Sequence, residues 1–594
     1  MLNLLSEHLD IWTGAPVTKA NGGRGRVSAA NRSPYGIKKL RELILELAVR
    51  GRLVGQNPND EPASVLLGKI AREKARLIKE GKIKKQDPLP EISEEERPFE
   101  LPKGWRFVRL GELTNRIGSG STPRGGKSAY EETGIPFLRS QNIWNHGLEL
   151  EEVVYISDDT HQKMSNTVVE PNDILLNITG ASLGRCTVYP EGVGEANVSQ
   201  HVSIIRPTNS GTRFYLHLCV LSPYTQSLVW GRQVGMAREG LSKKVLELFE
   251  LPLPPLAEQH RIVAKVNELM ALCDRLEQQQ GDSSATHQTL VETLLATLTT
   301  APDHQEFGES WQRIATHFDT LFTTEESIDQ LKQTILQLAV QGKLVPQDPN
   351  DEPASVLLEK ISKEKARLVK EGEIKKETPL PKITEEEEPF DIPKGWAFTR
   401  FENIVNITSG VTKGRKLAGR KVVIVPYLRV ANVQRGFLEL GMMKEIEIPK
   451  EELEKFTVAA RDLLVTEGGD WDKVGRTAIW KAELPLVAHQ NHVFKARLIL
   501  EKQNELWLEK YLNSFIAREY FANSSKQTTN LASINKTQLR GCIVPMPPLA
   551  EQHRIVAKVD ELMALCDQLK AKLTQSQEQS EKLIDAMFRQ SLVA

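Results

Sequence analysis

From residue 262 onward, apolar side chains fall at alternating steps of four and three: Ile262, Val266, Leu269, Cys273 and Leu276. The spacing returns near the other end of the chain at Ile555, Val559, Leu562, Cys566, Leu569 and Leu573. Such steps place every apolar residue on one stripe of a helix, the seam along which helices pack lengthwise. Each stripe is entered through a Pro-Pro turn and the same words, Ala257-Glu-Gln-His-Arg261 and Ala550-Glu-Gln-His-Arg554. One seam buries little alone, whereas two identical seams in one chain can bury each other. The pattern predicts an antiparallel intramolecular coiled coil of two long helices separating two similar halves. A helix from about 258 to 280 would be ~33 Å long at ~1.5 Å per residue.

The rest of the chain follows the same duplication, and internal repetition decides the architecture before any local feature does. Amphipathic stretches at 40–54 and 331–345 predict short helices stopped by Gly51 and Gly342, which suit the position just past a helix end. Asn59-Asp-Glu-Pro62 returns as Asn350-Asp-Glu-Pro353, and lysine-rich helices are predicted at 69–85 and 360–376. These read as solvated faces whose duplication also suits a partner surface. Proline-rich acidic connectors then lead to Pro102-Lys-Gly-Trp105 and Pro393-Lys-Gly-Trp396. His8-Leu-Asp10 faintly matches His317-Phe-Asp319, and the repeat order predicts chain termini that lie close together.

After each tryptophan the copies diverge. Residues 106–250 and 397–543 keep only scattered anchors: 135–142 with 425–432, 173–176 with 462–465, Gly184-Arg185 with Gly475-Arg476, and His201 with His492. Runs of four to eight alternating or apolar residues between turns rich in Gly, Asn and Pro predict strands with a few helices. The fold class is therefore α/β, two similar domains in a pseudo-two-fold repeat. A conserved helical region (1–105), a first variable domain (106–250), a central conserved region with a spacer helix (251–396), a second variable domain (397–543) and a closing spacer helix (544–594) make up the order.

Composition narrows the function. The chain has 594 residues, 40% hydrophobic, and a formal net charge of -1. It can bury several cores, and it lacks the global basic field of a simple electrostatic DNA binder. Local basic surfaces could be offset by acidic runs such as 94–96 and 385–388. The five cysteines form no Cys-x-x-Cys pair and two sit in the seams, which suits a reducing cytoplasm and no zinc site or disulfide framework. The opening residues carry no secretory signal pattern, and no apolar run is long enough to span a bilayer.

The Pro-Pro-Leu-Ala-Glu-Gln-x-Arg-Ile-Val helix after each variable domain resembles the DNA-specificity subunit of Type I restriction-modification enzymes. The resemblance spans essentially the whole chain. The long lysine-rich preface before each Pro-Lys-Gly-Trp looks like the subgroup called Type IB. The resemblance implies that each variable segment is a target recognition domain reading one half of a split DNA sequence. It further implies that the helical spacer docks modification subunits, two of them, and that restriction subunits join the complex. Methylation and cleavage would reside on those chains, which would use S-adenosylmethionine, ATP and Mg²⁺; this chain would carry no cofactor and no catalytic or metal site.

Within that picture the loop Gly118 to Ser128 suits DNA backbone. Its glycines let main-chain N–H groups approach phosphate, Ser119 and Thr122 supply hydroxyls, and Arg124 and Lys127 supply charge. Its counterpart offers Thr412, Lys413 and Arg415. A phosphate-binding P-loop fails on spacing, because the first glycine of G-x-x-x-x-G-K-S would fall on Ser121. Leu221-Ser-Pro-Tyr224 lacks the second proline of an adenine methyltransferase motif and reads as a helix-to-turn boundary. Arg139 with Arg429, and Arg185 with Arg476, occupy matching places, so they suit phosphate contacts or internal salt bridges better than base readout. Base readers belong where the halves disagree: Gln141, Ser182, Gln200, Arg238 and Lys243 in the first, and Trp471, Lys473, Asn491, Lys526, Gln527 and Asn530 in the second. The repeated His260 and His553 have no second ligand nearby and suit a structural or docking role. Two rival readings are a scaffold that bridges proteins without reading DNA, and a methyltransferase or NTPase supported only by the two near-miss motifs.

Overall fold

The computed structural model describes residues 9–14, 34–232, 240–301, 304–469, 473–528 and 531–593. It divides into two compact units, Met1–Ser283 with Ser576–Ala594, and Ser284–Gln575.

In the first unit the amphipathic helix Tyr35–Val49 buries Ile37, Leu40, Leu43, Ile44 and Leu47. It stops at Gly51, whose φ of +67° needs a residue without a Cβ, while the Arg52 N–H turns back to the Leu47 carbonyl at 2.9 Å. The lysine-rich helix is Ala63–Lys79 and buries only Ala63, Leu66 and Ile70, so most of its charge is solvated. Its end is earlier than the composition of 80–85 suggests. One lysine turns inward: Lys74 Nζ donates to the Gly111 carbonyl at 2.8 Å.

The variable segment is clipped at its base. Strand Arg106–Arg109 opens it and pairs antiparallel with Glu250–Leu253, which closes it. Between them lie two four-stranded sheets. One runs Thr114–Ser119, Val202–Pro207, Ile174–Asn177, Cys186–Val188, antiparallel throughout. The other runs Val154–Ile156, Ile135–Leu138, Ala196–Val198, Val168–Val169, with the two middle strands parallel. Helices Arg213–Leu221 and Pro223–Gly231 follow. Ser222 caps the second of them, its hydroxyl accepting from the Thr225 N–H, with Pro223 in the first turn. The Ser-Pro turn predicted there is thus a helix start.

The second unit repeats the plan. Helix Glu325–Val340 ends at Gly342 with φ +71°, and Ala354–Glu371 is the counterpart lysine-rich helix. Strands Ala397–Arg400 and Ile543–Met546 form the clip. An antiparallel sheet runs Val405–Ser409, Val493–Leu498, Leu463–Thr466, Thr477–Ile479. Beside it are two three-stranded sheets, Lys444–Pro449, Val422–Leu428, Ala488–His489 and Gly468–Gly469, Leu531–Ser533, Lys526–Thr528.

The seam helices are longer than their seams. Each has 45 residues, Leu256–Thr300 and Leu549–Val593, hence about 67 Å at about 1.5 Å per residue. The expectation of a helix ending near 280 is corrected: the polar stretch 281–290 stays helical because apolar packing resumes beyond it, at Val291, Leu295 and Leu298. The mutual burial of the two repeated seams is corrected as well. Ile262, Val266, Leu269 and Cys273, with Leu276 half-buried beside them, belong to the core of the first unit, with Leu40, Leu47 and Ile584. Ile555, Val559 and Cys566, with Leu562, Leu569 and Leu573 half-buried, belong to that of the second, with Leu331, Ile335 and Val291. Each seam therefore packs on its own repeat's short helix and on the far end of the other long helix.

The pairing is antiparallel within each unit. In the first, Tyr35 Oη donates to Asp585 at 2.7 Å and Arg52 Nη1 to the Leu592 carbonyl at 2.8 Å, so Tyr35–Val49 and the end of the second long helix run together. Arg41 pairs with Asp274 and Glu277 (2.8 and 2.7 Å), whereas Gln56, further along, reaches Glu258, so the first long helix runs against them. In the second unit Gln330 meets Glu292 and Lys343 meets the Thr299 carbonyl, whereas Lys570 meets Asp329 and Gln347 meets Glu551.

The repeated words find their reason at the start of each long helix. Trp105 Nε1 donates to Glu258 Oε2 at 3.0 Å and Gln56 Nε2 to Glu258 Oε1 at 3.2 Å; Arg261 pairs with Asp60 at 2.6 Å. The same arrangement joins Trp396, Gln347, Glu551, Arg554 and Asp351. Burial raises the carboxyl pKa of Glu258 and of Glu551, and the two donors pull it back only in part. The helical preface, the tryptophan and the long helix are thereby locked together, and the variable segment is held by its clip on this base. Leu9–Gly14 shares the first unit's core through Trp12, which also contains Ile584; residues 1–8, which include His8, and Ala594 lie outside the described residues.

Candidate nucleic-acid interface

The two variable segments share a backbone frame whose polar links are the same atom for atom. Buried Asp173 accepts from Arg206 through Nε and Nη2, both at 2.7 Å, and Asp462 accepts from Arg497 identically. Loss of hydration pulls the Arg206 guanidinium down, but its bonds to Asp173 carry it above the usual arginine value. Buried Asn142 accepts from the Arg139 N–H at 3.0 Å and donates to the Glu149 carbonyl at 2.9 Å; Asn432 does the same with Arg429 and Glu439 (3.0 and 2.7 Å). The Asn177 N–H donates to the Arg185 carbonyl and the Thr466 N–H to the Arg476 carbonyl, at 2.8 and 3.0 Å. The Ser121 N–H meets the Val198 carbonyl where the Val411 N–H meets that of His489.

On this frame the basic loops are exposed. Ser119, Thr122, Arg124 and Lys127 all face solvent, as do Thr412 and Lys413. Among the described residues Arg124, Lys127 and Lys413 form no ion pair, so their charge is available to phosphate. Arg415 differs: it pairs with Glu452 at 2.6 Å and lies over the Phe456 ring. Gln141 and Gln200 are exposed and Ser182 is half-buried near Arg185 in sequence. Lys243 is exposed and 3.4 Å from Glu247. Lys473 and Asn491 are half-buried, and Asn491 Nδ2 donates to His492 Nε2 at 3.3 Å. Lys526 and Gln527 stand on strand Lys526–Thr528. Arg238, Trp471 and Asn530 lie outside the described residues.

The shared arginines separate into two kinds. Arg139 and Arg429 turn inward, each giving Nη2 to a carbonyl, of Glu152 and Met442, at 2.9 Å. Among the described residues neither forms the internal salt bridge that its matching position suggested; each holds a carbonyl instead. Arg185 and Arg476 instead lie against residues that differ. Arg185 stacks on the Trp144 ring, with Cζ 3.7 Å from its centroid. Arg476 Nη1 donates to Gln434 Oε1 at 2.6 Å. The shared histidines behave likewise: His201 Nδ1 is 2.7 Å from Thr179 Oγ1, and His492 Nδ1 is 2.8 Å from Glu467 Oε2. Trp144, Gln434, Thr179 and Glu467 were not singled out from the sequence. The signal was present, since Trp144 and Gln434 each stand two places after the shared asparagine and disagree.

Deeper residues carry the perturbed acids and bases. Burial lowers His489 to about 4 and Lys495 to about 8, and both serve the fold: His489 Nδ1 is 2.7 Å from the Val493 carbonyl, and Lys495 Nζ donates to the Lys455 and Thr457 carbonyls. His260 and His553 are exposed, one turn into their helices. Among the described residues no group of three His, Cys, Asp or Glu is placed to hold a metal ion, and no helix is long and apolar enough to cross a membrane.

A duplicated frame that carries two different sets of exposed polar side chains is the design of a bipartite recognition protein. Residues 102–283 and 393–579 match the Type I restriction modification DNA specificity domain. The chain is 40% identical to the Type I restriction enzyme EcoAI specificity subunit of Escherichia coli, with 98% of each chain covered. It is 39% identical to the EcoEI specificity subunit of the same species, again over 98% of each. A chain from a solved structure of the type I R-M system aligns at 18% identity and a TM-score of 0.46, over 83% of this chain and 99% of that one. The chain belongs to the family of Type I restriction enzyme specificity subunits.

Proposed function

We propose that this chain reads a split, asymmetric double-stranded DNA sequence, each variable segment recognising one half. The observation that carries the reading is the pairing of one frame with two sets of side chains: identical Asp–Arg and Asn links beneath, and Trp144 against Gln434 or Thr179 against Glu467 above. Identical readers would favour a palindrome; unlike readers favour two unlike blocks. The free cations of the exposed loops, Arg124, Lys127 and Lys413, hold the DNA backbone without specifying sequence.

In this reading the chain is the specificity component of a Type I restriction-modification complex, with DNA, modification subunits and restriction subunits as partners. The duplicated helix starts, with exposed His260 and His553, dock two modification subunits, one to each repeat. Adenine methylation using S-adenosylmethionine, and ATP- and Mg²⁺-dependent cleavage, take place on those partners.

Mapping of methylated sites in cells that carry this chain with its modification partner tests the proposal. The expected result is one motif made of two short blocks around a fixed gap. Exchanging residues 106–250 for the corresponding segment of another family member should change one block and leave the other. A folded complex that marks no motif would favour a scaffold that does not read DNA.

A further inference from the structure

Arg185 and Arg476 sit at one place in the shared frame, and the frame holds them there firmly. Each follows a glycine with positive φ, Gly184 at +85° and Gly475 at +70°. A Cβ at either would meet Gln226 Oε1 or the Phe521 ring at under 2.5 Å, so the helix behind fixes the turn. What differs is the side chain opposite.

In the first segment that side chain is Trp144. Its ring is pinned, because Nε1 donates to the Gln141 carbonyl at 2.8 Å. The Arg185 guanidinium lies over it, with Cζ 3.7 Å from the ring centroid. Stacking covers one face of the guanidinium and leaves its edge, where all the N–H donors lie, uncommitted. Arg185 is half-exposed, and among the described residues its side chain makes no hydrogen bond or ion pair. In the second segment Gln434 takes one donor of Arg476 at 2.6 Å and is itself tied to the Ala431 carbonyl at 2.9 Å. That fork is partly used inside the protein.

We infer that Arg185 is a guanine reader of the first segment, and that Trp144 is the positioning residue that makes it one. A planar fork held rigid by a ring matches the O6 and N7 acceptors on the major-groove edge of guanine. A phosphate contact needs only charge and reach, which exposed Arg124 and Lys127 already supply. The position two after the buried asparagine therefore sets what the shared arginine does: an aromatic frees it to read a base, and glutamine ties it down.

This inference rests on the two-reader function, and the second half-site separates their failures. The intact complex is assembled with Arg185→Ala, Trp144→Gln and Trp144→Tyr chains, and methylated sites are mapped. Arg185→Ala and Trp144→Gln should each relax a single guanine in the first block, with discrimination there falling roughly ten- to a hundredfold. The second block should not change, and Trp144→Tyr, which keeps a ring, should preserve the motif. An Arg185→Ala chain that keeps the motif but binds all sequences more weakly, with a smaller salt dependence, is making a phosphate contact, and the inference falls. Should Trp144→Gln erase the whole first block, Arg185→Ala decides alone: one relaxed guanine supports the inference and an unchanged motif overturns it. An unaltered chain that marks no split motif overturns the two-reader function itself.

Discussion

At Glu509 burial and charge are opposed. The carboxyl is only 5% exposed, accepts from the Ile479 N–H at 3.2 Å, and is pushed up by burial to about 7. An acid whose folded pKa exceeds its unfolded value of 4.5 binds its proton more tightly when folded. Its contribution is therefore complete below pH 4.5 and is lost as pH rises through about 7. Glu509→Gln should remove that slope and stabilise the protein above neutrality, by up to about 3 kcal/mol. Urea unfolding at pH 5 and pH 8 checks this; equal stability of both chains at pH 8 would show the carboxylate is well accommodated. At this scale the sequence is informative about conformation and poor about direction. Gly51 and Gly342 are where helix endings require them. The shared arginines were visible, but that Arg139 and Arg429 bind the Glu152 and Met442 carbonyls while Arg185 stacks on Trp144 depends on turns and a ring that the fold brings to them. Comparison by likeness also hid Trp144 and Gln434, which matter through their difference.

At the scale of elements, the start of each long helix is tied down by one carboxylate with two donors. Trp105→Phe keeps an aromatic ring but strips Glu258 of one of its two donors in a buried setting, which should cost about 1–3 kcal/mol. The loss should shrink as pH is lowered, because the missing bond favoured the charged form of a group already raised by burial. Trp396→Phe should repeat the result in the second unit through Glu551. Denaturant unfolding of the two variants at two pH values measures both; a deficit that does not vary with pH would assign the loss to packing alone. The seam periodicity located both long helices and their buried faces. Their length escaped it, because residues 281–290 offer no apolar stripe and their helical state is secured by packing on either side. The same limit applies to the lysine-rich helices, whose composition runs on past their ends at Lys79 and Glu371.

At the scale of the whole molecule, duplication was legible and the crossing of the chain between units was not. Ile584 is fully buried in the core of the first unit, beside Met587, Phe588 and Leu592. Ile584→Ala should therefore destabilise the first unit by about 2–5 kcal/mol. Hydrogen exchange should accelerate in Tyr35–Val49 and stay unchanged in Glu325–Val340; Ile555→Ala should do the opposite. Faster exchange in both helices for either variant would mean that the units unfold as one. The crossing also sets an order in time. A ribosome completes residues 34–283 and must add roughly 300 more before the strand of helix that seals their core exists, a wait of roughly 15–60 s at about 5–20 residues per second. The second unit, contiguous from 284 to 575, can close first. The half made first is thus finished last, and a message cut short near its end yields a chain with one closed unit and one open core.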